Sequence, residues 1–435
     1  MATIHQMSTP GISSQADLFS MPITDTTVSH SAYETYKPLN NTNDSNSKLE
    51  FRIVGNSEQY IDLSDSFLHL QLQVVNHDGD LVTDQDISLA NNVLHSLFSD
   101  IQLFSNSKLV SSCNNCYPYK SYIEKVLSYG NGYFNGQGMC PGFIPDTTNF
   151  IVDASNEGYK KRTAMIADSK RFELIDRLHL SLCSQPRFLL NDMDLTLALT
   201  RSSDAFVIMG KNYKRGTDQK TIAARVKILD ATFYVRKQTL YPSIILAHQK
   251  LLECGKRALY PVSEGNVKFF TIPSGNQSFI VENAFPSIVP TRIVLGFVTN
   301  AAFNGAYLKN PFKFALCDVN YMNITVNNIS APMPPLNIET SVKSLMPYWM
   351  VFSSLGIIGQ NQGCIIDRDN FSEGYGLFTF DLQKCSSTDD SLVLERTGNV
   401  RFDIKFSKAL IEAVNLIVYY EVPRTYEIDQ YRQMT

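Results

Sequence analysis

Cys113 and Cys116 bracket Asn114 and Asn115 in a Cys-x-x-Cys pair, a spacing that serves thiol exchange or half of a zinc site. A closed tetrahedral zinc site needs two more ligands, and no second Cys-x-x-Cys or His pair stands at zinc spacing. The βαβ context of a redox motif is also missing, so the pair reads as two thiols in the turn before a helix at 117. Asp367, Asp369 and Asp381 are carboxylates of the kind glycoside hydrolysis uses, but that chemistry needs two carboxyls held at a set separation across a cleft, which spacing in sequence does not establish. Tyr348, Trp349 and Phe352 are an aromatic cluster that would suit sugar stacking or packing at a trimer or domain contact; interfaces are enriched in Trp and Tyr. The seven His are dispersed, with His69 and His179 in strand patterns and His248 on a helix, and they read as structural. No phosphate-binding Gly-rich loop, nucleophile elbow or His-Glu-x-x-His occurs. The expectation is therefore a non-enzyme with no catalytic residue, metal or cofactor.

The elements that would position these residues are mostly strands. Leu68, Leu70, Leu72 and Val74 alternate with His69, Gln71 and Gln73, the period of a strand with one buried face. Met193, Leu195, Leu197 and Leu199 alternate likewise, as do Met322, Ile324 and Val326, and Phe402, Ile404 and Phe406. His77-Asp78-Gly79, Phe303-Asn304-Gly305 and Thr397-Gly398-Asn399 punctuate such runs as turns. Two helices stand out. Tyr119, Tyr122, Ile123, Val126 and Leu127 share one helical face, closed by Gly130; Ile244, Ile245, His248, Leu251 and Leu252 share another, between Pro242 and Gly255.

The chain has 435 residues, 44% hydrophobic and 18% charged, with 26 Phe and 21 Tyr against one Trp. That supports a large core with a β-rich flavour. A net charge of −4 argues against a surface built to neutralise a phosphate backbone, and Lys160-Lys161-Arg162 reads as solvated loop. No signal peptide or transmembrane stretch is visible, so a soluble cytosolic product with reduced thiols is expected, its sequons at Asn276, Asn323 and Asn328 unmodified.

Residues 1–48 are polar, rich in Ser, Thr and Asn, and not basic; they read as a flexible arm that orders on a partner. Beyond them runs a weak internal repeat. FRIVGNSEQYIDL (51–63) resembles FFTIPSGNQSFIVEN (269–283), each followed by another strand. MDLTLAL with VKILDATFYVRK (226–237) resembles NVRFDIKF with AVNLIVYYEV (413–422). Two similar β units in one chain predict a duplicated β-sandwich. The division follows: arm 1–48, first unit 49–240, helical connector 241–257, second unit 258–423 and C-terminal tail 424–435.

At this point the chain resembles the double jelly-roll major capsid proteins of Polinton/Maverick elements and adintoviruses, within the adenovirus hexon-like lineage. The resemblance rests on NNVLHSLFSDIQLFSNSKLV (91–110), YPYKSYIEKVLSYG (117–130), VKILDATFYVRK, FTIPSGNQSF (270–279), AFNGAYLKNPFKF (302–314) and the closing GNVRFDIKF with NLIVYYEV. It spans about 49–431, whereas the arm and the loops 131–160 and 203–222 match nothing.

The resemblance implies an all-β fold of two consecutive eight-stranded jelly rolls with short helices in the connecting loops. It implies a homotrimeric pseudo-hexagonal capsomer that paves an icosahedral shell around a DNA genome. Its partners would be further copies of itself, neighbouring capsomers and a single jelly-roll penton or minor capsid protein, without specific nucleic-acid binding. It would be made in the host cytosol, assemble in cytoplasm or nucleus and reside in the virion. The interface or structural residues expected are Tyr119, Tyr122, Ile123, Val126 and Leu127 on the first helix, Ile245 and Leu252 on the second, and Tyr348, Trp349 and Phe352. The competing reading is a carbohydrate-binding or carbohydrate-active β-sandwich.

Overall fold

The computed structural model describes residues 4–40, 48–76, 79–82, 87–210, 213–215, 218–220, 224–338, 345–360, 363–383 and 393–435. The first half contributes β1 (Val28–Tyr36), β2 (Leu49–Ile53), β3 (Gln59–Asn76), β4 (Phe98–Ser105), β5 (Lys108–Ser112), β6 (Phe172–Asp176), β7 (Leu195–Arg201) and β8 (Ala224–Leu240). The second half contributes β9 (Ala258–Ile272), β10 (Ser278–Val281), β11 (Arg292–Thr299), β12 (Val319–Val326), β13 (Ile329–Ser330), β14 (Leu377–Asp381), β15 (Val400–Phe406) and β16 (Val414–Ile428).

The sheets of the first half run β1-β8-β3-β6 and β2-β7-β4-β5; those of the second run β9-β16-β11-β14 and β10-β15-β12-β13. Within each half the strands therefore interleave in one order, first-eighth-third-sixth and second-seventh-fourth-fifth, all antiparallel. That is the order of a jelly roll, so the fold is all-β and a double jelly roll. Leu336–Asn337 adds to β12, and Ile87–Leu89 pairs with Ile208–Gly210 outside this plan.

Three expectations change. The first strand lies inside the stretch read as a flexible arm. β1 pairs with β8 from Val28↔Leu240 to Tyr36↔Phe233, yet none of its side chains is fully buried. Backbone hydrogen bonds, the Lys237–Glu34 ion pair (2.7 Å) and partial packing of Val28 and Tyr36 hold it, a spacing that writes no period-two run into the sequence. The first roll thus starts at Val28. Most of the NNTNDSNS segment, 41–47, and His77-Asp78 of one expected turn lie outside the described residues.

The opening pair of the repeat is one strand out of step. FRIVGNSEQYIDL joins the second and third strands of its roll, whereas FFTIPSGNQSFIVEN joins the first and second. A Gly-Asn turn obeys local backbone rules and does not mark which strands it joins. The closing pairs do correspond, as the seventh and eighth strands. Finally, β16 runs past residue 423, and the end of the tail folds back on it through two Glu427–Thr435 backbone bonds (2.9 and 3.0 Å).

The core has two parts. One is the interior of the second roll, with Ile293, Leu295, Phe297, Phe402, Ile404 and Leu416. The other fills the first roll and continues across the junction to Val294, Val298, Phe312, Phe314 and Ile417 of the second. The sheet containing β11 is therefore buried on both faces, which explains the unbroken apolar run in Arg292–Thr299. Gly296 sits on the outer face where a Cβ would come within 2.5 Å of the Phe314 ring.

Candidate functional site

Between the rolls lies helix α1 (Tyr117–Ser128), the first helix expected from the sequence. It is buried on every side and not along one stripe: Lys120 and Lys125 are as enclosed as Ile123 and Val126. Tyr119 stacks on Phe303 (5.4 Å between centroids, 13°), and Tyr122 stacks on Phe312 (4.3 Å, 7°). Two sequence strings separated by well over a hundred residues, 117–130 and 302–314, thus close on each other. The turn expected at Phe303-Asn304-Gly305 makes this approach: Gly305 has φ +96°, and a Cβ there would meet the Phe206 nitrogen at 2.9 Å.

The polar face of α1 organises a buried network. Lys125 Nζ donates to Asn92 Oδ1 (2.9 Å) and Asp176 Oδ2 (2.5 Å). His95 Nε2 lies 2.9 Å from the same Asp176 oxygen, and His95 Nδ1 lies 2.7 Å from the Tyr117 hydroxyl. Burial first, then the Lys125 charge, hold the His95 pKa well below its ordinary value. The ring is neutral, so its Nε2–H donates to Asp176 and its Nδ1 accepts from Tyr117. Burial pushes the Asp176 carboxyl up, but the bond from His95 and the Lys125 charge outweigh it and leave its pKa well below the usual range. His179 lies in the loop after β6, not in a strand as expected, and its Nδ1 is 2.6 Å from Glu124 Oε2. Tyr419 of the second roll stands within 3.4 Å of Glu124 and donates to Glu421 (3.1 Å), which pairs with Arg292 (3.1 Å).

A second buried pair contradicts the reading of Lys160-Lys161-Arg162 as solvated. Lys160 and Lys161 are exposed, but Arg162, on helix α2 (Glu157–Ile166), is fully enclosed. It donates to Asp146 (2.6 Å) and to the carbonyls of Leu89 (2.8 Å) and Ile144 (2.7 Å). Asn310 of the second roll donates to the other Asp146 oxygen (3.1 Å). The C-terminal segment completes the junction: Arg432 donates to the Asn191 carbonyl and side chain (2.8 Å each), and Met434 is buried.

The arrangement suits structure better than chemistry. His95, Asp176 and His179 offer ligand atoms within 4.8 Å of one another, but Lys125, Tyr117 and Glu124 already engage them. A divalent cation would have to displace a buried ammonium. Burial pushes the Cys113 thiol up to about 11 and Cys116 to about 12, so neither is a ready thiolate at neutral pH. Asp367 caps the helix Arg368–Glu373, accepting from the Asp369 and Asn370 amides (3.0 and 2.8 Å). Asp381 lines a 620 Å³ cleft with Arg187, Arg292 and Glu421, and Asp367 is not among the residues lining it.

Of the expected interface or structural residues, Tyr119, Tyr122, Ile123, Val126 and Leu127 are buried inside the chain, where they can act only as structure. Helix α3 (Pro242–Glu253) buries Leu252 and half-buries Ile245, but exposes Leu246 and Leu251. On helix α4 (Leu345–Leu355), Tyr348 and Phe352 pack edge-on (4.9 Å, 79°), while Trp349 points outward and is 54% exposed beside Leu345 and Met346. These three rings form no platform. The sequence reading missed His95, Lys125, Asp146, Asp176 and Asn310; the one available signal was Lys125 between Tyr122-Ile123 and Val126-Leu127 of an apolar helix face.

No family model matches the chain. It is 26% identical over 424 residues to an uncharacterized protein of Caenorhabditis elegans, covering 94% of this chain and 97% of that one. Its fold is similar to the Sputnik virophage structure (TM-score 0.58, 11% identity, covering 100% of this chain and 94% of that one). It is also similar to PBCV-1 VP54 fitted into Sputnik (0.59, 12%, covering 94% and 97%) and to the mavirus major capsid protein (0.50, 10%, covering 100% and 95%). Among the described residues no helix is long and apolar enough to cross a membrane.

Proposed function

We propose that this chain is a structural major capsid protein of the Polinton/Maverick and adintovirus type, whose function is self-assembly without turnover of a substrate. The observation that carries the reading is the pair of complete, identically ordered jelly rolls locked side by side by α1. Solved viral capsid proteins share that whole-chain fold. A rigid junction suits a tile, because neighbours then meet two sandwiches held at a set angle. Three copies would place six rolls around one axis, closing the assembly as a homotrimer. Such capsomers would pave an icosahedral virion around a DNA genome, with a penton protein at the vertices. The connector 241–257 joins the rolls, and exposed Trp349 on α4 faces a neighbouring copy.

Sugar binding has less behind it, since Tyr348 and Phe352 turn inward and Asp367 is a helix cap. The test is the mass of the purified protein by native mass spectrometry. Three times 48.9 kDa, followed by particles in electron micrographs, is expected. A strict monomer at high concentration that binds glycans would overturn the proposal.

A further inference from the structure

An apolar groove opens beside α3, where the ends of both rolls meet. Tyr60, Leu240, Leu251, Leu252, Leu259 and Tyr260 line it, with a volume of 500 Å³. Leu251 and Leu259 are 45% and 49% exposed, although both stand on regular elements that pack elsewhere. Thr27 also lines the groove, and its carbonyl accepts from the Tyr241 amide (3.2 Å). The N-terminal segment therefore leaves the fold at the groove's mouth.

That segment carries apolar side chains with nothing to cover them. Leu18, Phe19, Met21 and Ile23 are 77%, 98%, 89% and 100% exposed. Exposed apolar runs of this kind mark interaction surfaces. The charges are complementary: the segment holds Asp17 and Asp25 and no Lys or Arg before Lys37, while Arg187 and Lys256 rim the groove beside Arg257, which is already paired with Glu427 (2.7 Å). Lys256 has no carboxylate partner among the described residues.

We infer that the segment around Leu18–Ile23 of one copy docks into the α3 groove of a second copy. The chain's own groove is a poor target. Val28 is pinned opposite Leu240, and from there the segment runs on with Leu18, Phe19, Met21 and Ile23 exposed and not seated in the groove beside it. Outward, at roughly 3.3 Å per extended residue, Leu18 reaches about 30 Å from Thr27, far enough to cross to a copy packed against this face.

This inference rests on the capsid reading only for the presence of neighbouring copies. The test uses two proteins of different mass, one Phe19→Cys and one Leu251→Cys, each with Cys140→Ser and Cys254→Ser, the thiols exposed among the described residues, and with Cys385→Ser, which lies outside them. They are mixed, assembled and mildly oxidised. A disulfide joining the two masses is expected, at least about ten-fold above a Phe19→Cys and Ile411→Cys control pair. A Leu18→Asp, Phe19→Asp chain should keep its melting temperature, because both residues are exposed, and lose about ten-fold in assembly. Trimers that form without the mixed disulfide overturn the docking alone. A disulfide that forms only within a chain carrying both cysteines also overturns it. A chain that stays monomeric throughout overturns both readings.

Discussion

The rings of Tyr122 and Phe312 lie parallel at 7° with centroids 4.3 Å apart, and this contact joins the helix of one roll to the loop of the other. Tyr122 also stacks on Phe143 and Tyr119 on Phe303, so one aromatic column crosses the junction.

Truncating this column should uncouple the rolls. Phe312→Ala should cost about 3–5 kcal/mol, and a Tyr122→Leu, Phe312→Leu double-mutant cycle should show about 0.5–1.5 kcal/mol of coupling. Urea unfolding measures both, and additive losses would refute the contact.

Asp146 should be less replaceable than any surface carboxylate. Asp146→Ala leaves the Arg162 guanidinium buried with only carbonyl partners, a loss of about 3–5 kcal/mol. Exposed Asp230, paired with Lys37, should cost less than about 1 kcal/mol. Equal effects on the urea midpoint would count against the buried pair.

Tyr119→Phe should be neutral or stabilise by up to about 1 kcal/mol. Its hydroxyl is buried and finds no hydrogen-bond partner among the described residues, so removing it breaks no bond and lifts a desolvation cost. A melting temperature several degrees lower would show that the hydroxyl has a partner after all.

Acid should loosen the junction in two steps. His95 is held below its ordinary 6.5, so below about pH 6.5 the unfolded chain binds a proton that the folded chain refuses, and stability falls as pH drops. Asp176 is held below 3.8, so its contribution is present above that value and is lost as pH falls further. Each proton contributes a slope of about 1.4 kcal/mol per pH unit. Urea titrations between pH 7.5 and 5 should show a shallower slope for His95→Gln; an unchanged slope would assign the acid sensitivity elsewhere.

The C-terminal segment should act as a clasp. Arg432→Ala removes two bonds to Asn191 of the first roll and should cost about 1–3 kcal/mol. Hydrogen exchange should then rise in the amides near Asn191 and leave the β15 amides unchanged.

Period-two runs such as Leu68–Val74 and Phe402–Phe406 were legible because a strand with one buried face writes its period directly into the chain. The closing strand pairs of the two halves were legible for the same reason. β1 was not, because backbone pairing with β8 holds it and requires no side-chain pattern.

What the sequence determined by itself was the all-β class, the duplication, and helices at Tyr117–Ser128 and Pro242–Glu253. All of these rest on local period, capping and composition. Only the tertiary structure decided that Tyr119, Tyr122 and Leu127 face the second roll or the chain's own core and not a neighbour. It also decided that Arg162 is buried and that His95, Lys125 and Asp176 meet. Those outcomes depend on which surfaces approach when distant segments fold together, and an amphipathic pattern states that a face is covered without stating by what.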